Sequence, residues 1–138
     1  MGWEHFHHGA DSGVRGMAKD KLEAYAQAAL AVSAVITDPT TIQPQQQIQN
    51  DYQAPDDEIL FLDWLNALIY EMAVRNMLFC RFELQLEDYH LQAQVWGELL
   101  DVECHRPAVE IKGGATFTEL KVGQDGAGGW FAQCVVDV

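Results

Sequence analysis

Apolar and polar positions recur with two different periods along this chain, and the changes of period divide it into elements. Leu22, Tyr25, Ala29, Val32 or Ser33, and Ile36 follow the spacing of one helix face. Asp20 with Glu23 three residues on is a capping-box type start for that helix, and Thr37-Asp38-Pro39 stops it. A second helix is predicted from Pro55-Asp56-Asp57-Glu58, where proline and acids suit a first turn, to about Arg75. Leu62, Leu65, Ile69 and Met72 form one apolar stripe on it, and Phe61, Trp64 and Leu68 form a second. Such a helix is apolar over more than half its circumference and belongs at the centre of the core. Asp63, Asn66 and Tyr70 make its polar stripe.

The second half of the chain changes to a period of two. Cys80, Phe82, Leu84 and Leu86 alternate with Arg81, Glu83, Gln85 and Glu87; after a turn at Asp88-Tyr89, Leu91, Ala93 and Val95 alternate with His90, Gln92 and Gln94. This predicts an antiparallel hairpin with one dry and one wet face. Ala115 and Phe117 begin a further alternation whose phase slips before Leu120 and Val122, as a bulge near Thr118-Glu119 would cause. Gly126 to Gly129 reads as a turn before a closing strand, Trp130 to Val138. Two more strands, near Trp3–Gly16 and Ile48–Tyr52, flank the first helix. The order β-α-β-α-β-β-β-β predicts an α+β domain spanning 1–138. It is expected as a two-layer sandwich, with two helices packed on one face of a mostly antiparallel sheet.

Composition narrows the function classes. The chain has 138 residues, 49% hydrophobic and 21% charged, which is ordinary for one globular domain with a real core. It contains neither a run of roughly 18 apolar residues nor a signal-peptide pattern, so a cytoplasmic protein away from membranes is expected. Eight Lys and Arg against 21 Asp and Glu give a net charge of −13. Affinity for nucleic acid comes largely from cations that neutralise phosphates, so direct tight binding to RNA or DNA is not expected. Cations and basic protein surfaces are the natural partners. Cys80, Cys104 and Cys134 are too few and too widely spaced for a disulfide framework or a zinc finger. Cys80 and Cys134 read as small core residues, while Cys104 lies in a polar stretch beside His105.

Two carboxylates stand in unusual settings. Asp137 interrupts an apolar run, Cys134-Val135-Val136-Asp137-Val138, and should face away from the core if Cys134 and Val136 face it. The main-chain carboxylate of Val138 beside it would crowd two anions together, which a cation, a proton or an arginine would relieve; a solvated strand end is the alternative. Asp11 lies in His8-Gly9-Ala10-Asp11-Ser12-Gly13, where small neighbours leave its carboxylate uncovered or form an Asx-turn. Hard oxygen ligands of this kind suit Mg²⁺, Ca²⁺ or Mn²⁺ better than zinc. His5 and His7 share a strand face but lack two further zinc ligands, and His8 on the opposite face could support an ion at Asp11. Lys112 precedes Gly113-Gly114 in the wrong order for a phosphate loop. No complete nucleophilic site is present.

Taken together, these pieces resemble the archease family over nearly the whole chain. The resemblance rests on His8-x-Ala10-Asp11-x-Gly13, Ala28-Ala29-Leu30 through Thr37-Asp38, and Asp63-Trp64-Leu65-Asn66-x-Leu68-Ile69-Tyr70. Gly97-Glu98, Glu110-Ile111-Lys112, Ala115-Thr116-Phe117 and Val136-Asp137-Val138 complete it. It implies an activator of an RtcB-type RNA ligase in tRNA splicing or RNA repair, one that promotes ligase guanylylation and repeated turnover without being a catalyst. It also implies a divalent metal ion held by Asp11 and Asp137, with Val138 as an added ligand and Lys112 as a further functional residue. A metal-independent, chaperone-like scaffold and a metal-dependent hydrolase are the alternatives. The chain departs from the family where Gly9 replaces a threonine and where Lys112-Gly113-Gly114-Ala115-Thr116-Phe117 carries one extra glycine, read here as a bulge.

Overall fold

A computed structural model describes residues 2–138. The chain opens with a hairpin, β1 (Gly2–His8) and β2 (Asp11–Ala18), in place of the single strand predicted over Trp3–Gly16. Gly9, with φ +57°, makes the two-residue turn that reverses the chain between His8 and Asp11. Helix α1 (Lys21–Ile36) starts where expected: the Asp20 carboxylate accepts from the Glu23 N–H at 2.8 Å. A short 3₁₀ turn at Pro39–Thr41 follows, then β3 (Gln46–Gln53) and α2 (Asp57–Arg75). Asp56 caps α2 through the Ile59 N–H, and Asn76 ends it in the left-handed conformation.

Strands β4 (Met77–Glu87) and β5 (His90–Leu99) form the predicted hairpin, with Asp88 and Tyr89 both at positive φ as a type I′ turn requires. One register shift occurs between Phe79 and Arg81. It makes Cys80 the bulged residue, so Cys80 is only half-buried and the core position expected of it is taken by Phe79. Beyond a one-turn helix α3 (Val102–His105), the strand predicted after Ala115 is divided into β6 (Gly114–Ala115) and β7 (Lys121–Gln124). Residues 116–120 leave the sheet, with Glu119 at φ +56°. The slip of phase is therefore a five-residue excursion, and Phe117 points to water instead of the core. Strand β8 (Trp130–Asp137) closes the chain.

All strand pairs are antiparallel, as the α+β reading requires. The strands are divided between two sheets where one was expected. The first has the order β1-β2-β8, with β6 and β7 both paired to the far side of β8; the second is β3-β5-β4. Helix α1 packs against β4 as well as β2, and its Ser33 hydroxyl donates to the Phe79 carbonyl at 2.6 Å. Trp64 on α2 anchors the core, with its ring edge-on to Phe82 and its indole N–H donating to the Tyr25 carbonyl at 3.1 Å. Burying one such large apolar group contributes about 1.5–3 kcal/mol. On the first sheet Val14, Ala132, Cys134 and Val136 face this core. Their alternate neighbours, Asp11, Gly13 and Arg15 on β2 with Gln133, Val135 and Asp137 on β8, therefore face away from the helices.

Candidate metal centre

The hairpin turn at Gly9-Ala10 sets Asp11 as the first residue of β2, directly across from His8 on β1. Ser12 pairs with Val136, and the antiparallel register carried one step further puts Asp11 opposite Asp137. Asp137 in turn pairs with Gly114 of β6. His8, Asp11 and Asp137 thus follow one another across β1, β2 and β8 on the face turned away from the helices, with the backbone of Gly114 beside Asp137. Asp11 is half-buried and Asp137 exposed. The Val138 N–H donates to Asp11 Oδ1 at 3.3 Å, which ties the two chain ends together at this point.

The loop before β6 closes the other side of the row. The N–H groups of Lys112 and Gly113 both donate to the Asp137 carbonyl, at 3.1 and 3.2 Å. Gly113 lies flat on the Asp137 side chain: a Cβ placed there would sit 2.0 Å from Oδ2. Gly114 adopts φ +80° against Asn66, where a side chain would meet Oδ1 of that residue at 2.6 Å. Asn66, from the polar stripe of α2, holds the loop in place. Its Oδ1 accepts from the Ala115 N–H at 2.8 Å and its Nδ2 donates to the Ala115 carbonyl at 3.1 Å. The glycine pair that the sequence suggested as a bulge is therefore the segment that wraps the end of β8. It brings Lys112 to Asp137 through the main chain, while the Lys112 side chain is exposed and makes no ion pair among the described residues.

Two carboxylates directly across an antiparallel pair repel each other unless a cation lies between them. That arrangement, with only oxygen donors, fits a hard divalent ion. Among the described residues no group of three or more His, Cys, Asp or Glu side chains is placed to hold a metal. The aspartate pair accordingly leaves coordination positions open. His5 is turned elsewhere, its Nε2–H donating to the Ala31 carbonyl at 2.7 Å, so the His5–His7 pair does not assemble a zinc site.

Sequence reasoning missed one buried polar unit. His105 is almost fully buried; its Nδ1 accepts from the Asp101 N–H at 2.9 Å, and its Nε2 contacts Glu98 Oε2 at 2.9 Å. Burial by itself raises the Glu98 pKa, but the Gln43 N–H, the hydrogen bond from His105 and the charge of that ring together hold it below the usual range. Only the polar character of Gly97-Glu98 and of Cys104-His105 could have signalled this pair. Cys134 is buried and its thiol is pushed up to about 12, whereas Cys104 is exposed.

The fold and the row define a small acidic α+β protein with an open pair of carboxylates on a sheet face. The archease protein family (MTH1598/TM1083) has a sequence profile that matches residues 3–138. The protein archease of Pyrococcus furiosus is 32% identical over 140 residues, covering 99% of this chain and 98% of its own. That of Methanosarcina barkeri is 32% identical over 141 residues, with 99% and 95% covered. The chain belongs to the archease family. Protein 1598 of Methanobacterium thermoautotrophicum, solved in solution, superposes with a TM-score of 0.81 at 25% identity over 99% of both chains. The crystal structure of a Thermotoga maritima protein described as an archease and possible chaperone shares the fold, with a TM-score of 0.57 at 18% identity over 98% of this chain and 96% of that one.

Proposed function

We propose that this protein is a non-catalytic, metal-binding activator of an RtcB-type RNA ligase, acting in the cytoplasm in tRNA splicing or RNA repair. The observation that supports the reading is that Ser12 pairs with Val136 and the Val138 N–H donates to Asp11, which brings Asp11 to the end of β8 beside Asp137 and the Lys112-Gly113 loop. Asp11, Asp137 and a main-chain oxygen of Val138 would hold one divalent ion, Ca²⁺, Mg²⁺ or Mn²⁺. The ion would supply Lewis-acid polarisation of a nucleotide phosphate during ligase guanylylation. The chain's own part is positional. Asn66 fixes the loop, the loop fixes Asp137, and the Val138 N–H orients the Asp11 carboxylate. Lys112, exposed at the rim, is free to meet a phosphate or a carboxylate of the complex.

Charge supports a protein partner. At −13 this chain is repelled by RNA, so an RNA-repair role is exercised through the ligase and its metal site. The rival reading is a scaffold that needs no metal, in keeping with the description of the Thermotoga maritima relative as a possible chaperone. The two separate in a guanylylation assay with purified ligase and GTP. Asp11→Ala and Asp137→Ala, each with unchanged melting temperature, should lower stimulation at least about tenfold, on the order expected for loss of a metal ligand. Full stimulation by both variants would establish the scaffold.

A further inference from the structure

Phe117 is 71% exposed, more than any other large hydrophobic side chain of the described residues. A single apolar group in water is unremarkable on a mobile loop, but the backbone that carries Phe117 is tied down on both sides. The Thr116 N–H and hydroxyl both donate to the Val135 carbonyl, at 3.0 and 2.8 Å. The Val135 N–H donates to the Thr118 carbonyl at 3.0 Å, and Thr118 N–H reaches the Thr116 hydroxyl at 3.3 Å. Gln133 holds the Glu119 carbonyl at 3.1 Å, and the Leu120 N–H returns to the Phe117 carbonyl at 3.2 Å. The excursion between β6 and β7 is thus fastened to β8 through Thr116, Thr118 and Glu119, and it carries the ring into solvent.

Its position adds a second observation. Val135 precedes Asp137 by two residues, so the attachment lies roughly 7 Å along β8 from the carboxylate row. On the other side of the same loop, Asn66 holds Ala115, and Tyr70, one turn further along α2, is 62% exposed. Two exposed aromatic residues are therefore carried by the elements on either side of Ala115, Phe117 by the excursion and Tyr70 by α2. With its backbone already held, Phe117 has only its two side-chain torsions to order on binding, and aromatic groups of this kind dominate the energetics of protein interfaces.

We infer that Phe117 is the apolar anchor of the surface with which this protein docks on its partner, inserting into an apolar recess ringed by basic groups. The basic ring follows from charge, because the chain as a whole carries −13 and Glu119, Asp137 and Asp11 lie on this side of it, so cationic surroundings are met most readily. Insertion would present Asp11, Asp137 and Lys112 to the partner's own site in a fixed orientation. This inference rests on the ligase-activator reading and names the contact that reading needs.

The test measures binding of the labelled protein to the purified RtcB-type ligase, alongside Mn²⁺ titration and thermal melting of the free protein. Phe117→Ala should weaken ligase binding at least about tenfold, the loss expected of an interface hot spot. Metal affinity and melting temperature should stay unchanged, and Phe117→Tyr should restore most of the binding. Undiminished binding by Phe117→Ala would overturn the role of Phe117 and leave the activator reading standing. No binding by the unsubstituted protein would overturn that reading and this surface together. If Phe117→Ala instead lost affinity for single-stranded RNA and kept its affinity for the ligase, the ring would be a base-stacking platform and the inference would fail.

Discussion

Gly113 is packed so closely on Asp137 that it cannot gain a side chain without moving its neighbour. With Oδ2 of Asp137 only 2.0 Å from where a Cβ on Gly113 would lie, Gly113→Ala must displace either the loop or the carboxylate. The expected outcome is a loss of divalent-ion affinity of about 10–100-fold, the size of effect seen when groups supporting a ligand are altered. Because Gly113 is exposed, melting should shift little; calorimetric titration and a thermal melt on one sample separate the two effects. At this scale the site was half legible. Asp11 and Asp137 were visible as odd carboxylates, but either had a bland reading, and only the family resemblance joined them. That Gly113 serves the site was invisible, since the space above a backbone depends on what packs there. Cys80 was misplaced for a related reason: strict alternation assumes an unbroken register, and the bulge at Cys80 breaks it.

Among the elements, the helices were read most reliably, because each carries its own signals in local sequence. Asp20 caps α1 as its position suggested, Asp56 is the N-cap of α2 rather than part of its first turn, and the two apolar stripes of α2 supply most of its buried residues. Strand divisions were harder. The β1–β2 turn needs only Gly9-Ala10, and the gap between β6 and β7 is set by pairing with β8, which lies far along the chain. The one-turn helix α3 belongs to this class too, since it exists to bring His105 under Glu98. With Glu98 held below its ordinary pKa of 4.5, its carboxylate is more stable in the folded than in the unfolded chain. The stabilisation is therefore present above about pH 4.5 and is lost as the pH falls through the lower folded-state value. Glu98→Gln should cost about 1–3 kcal/mol near neutrality, the penalty for weakening a buried polar contact. In denaturant unfolding followed from pH 7 to pH 3, the gap between the two proteins should close below pH 4.5. A gap independent of pH would show that the Glu98 charge is not what matters.

For the whole molecule, the informative features are charge and the sidedness of the first sheet. One face of that sheet packs on α1 and α2, and the other carries His8, Asp11 and Asp137. The α+β class and antiparallel pairing follow from periodicity alone. The division into two sheets does not, because it depends on which strands pair over long sequence separations, β2 with β8 and β3 with β5. The net charge of −13 adds a direction, towards cations and basic protein surfaces. Both lines meet in one claim, that Asp11 and Asp137 act as a pair to hold a divalent ion. Isothermal titration of the protein with Mn²⁺, Ca²⁺ and Mg²⁺, repeated on Asp11→Ala and on Asp137→Ala, tests it most directly. The account predicts one saturable site for at least one of these ions, weakened at least about tenfold by either substitution. No saturable binding of any of the three ions, or binding that survives both substitutions unchanged, would contradict it.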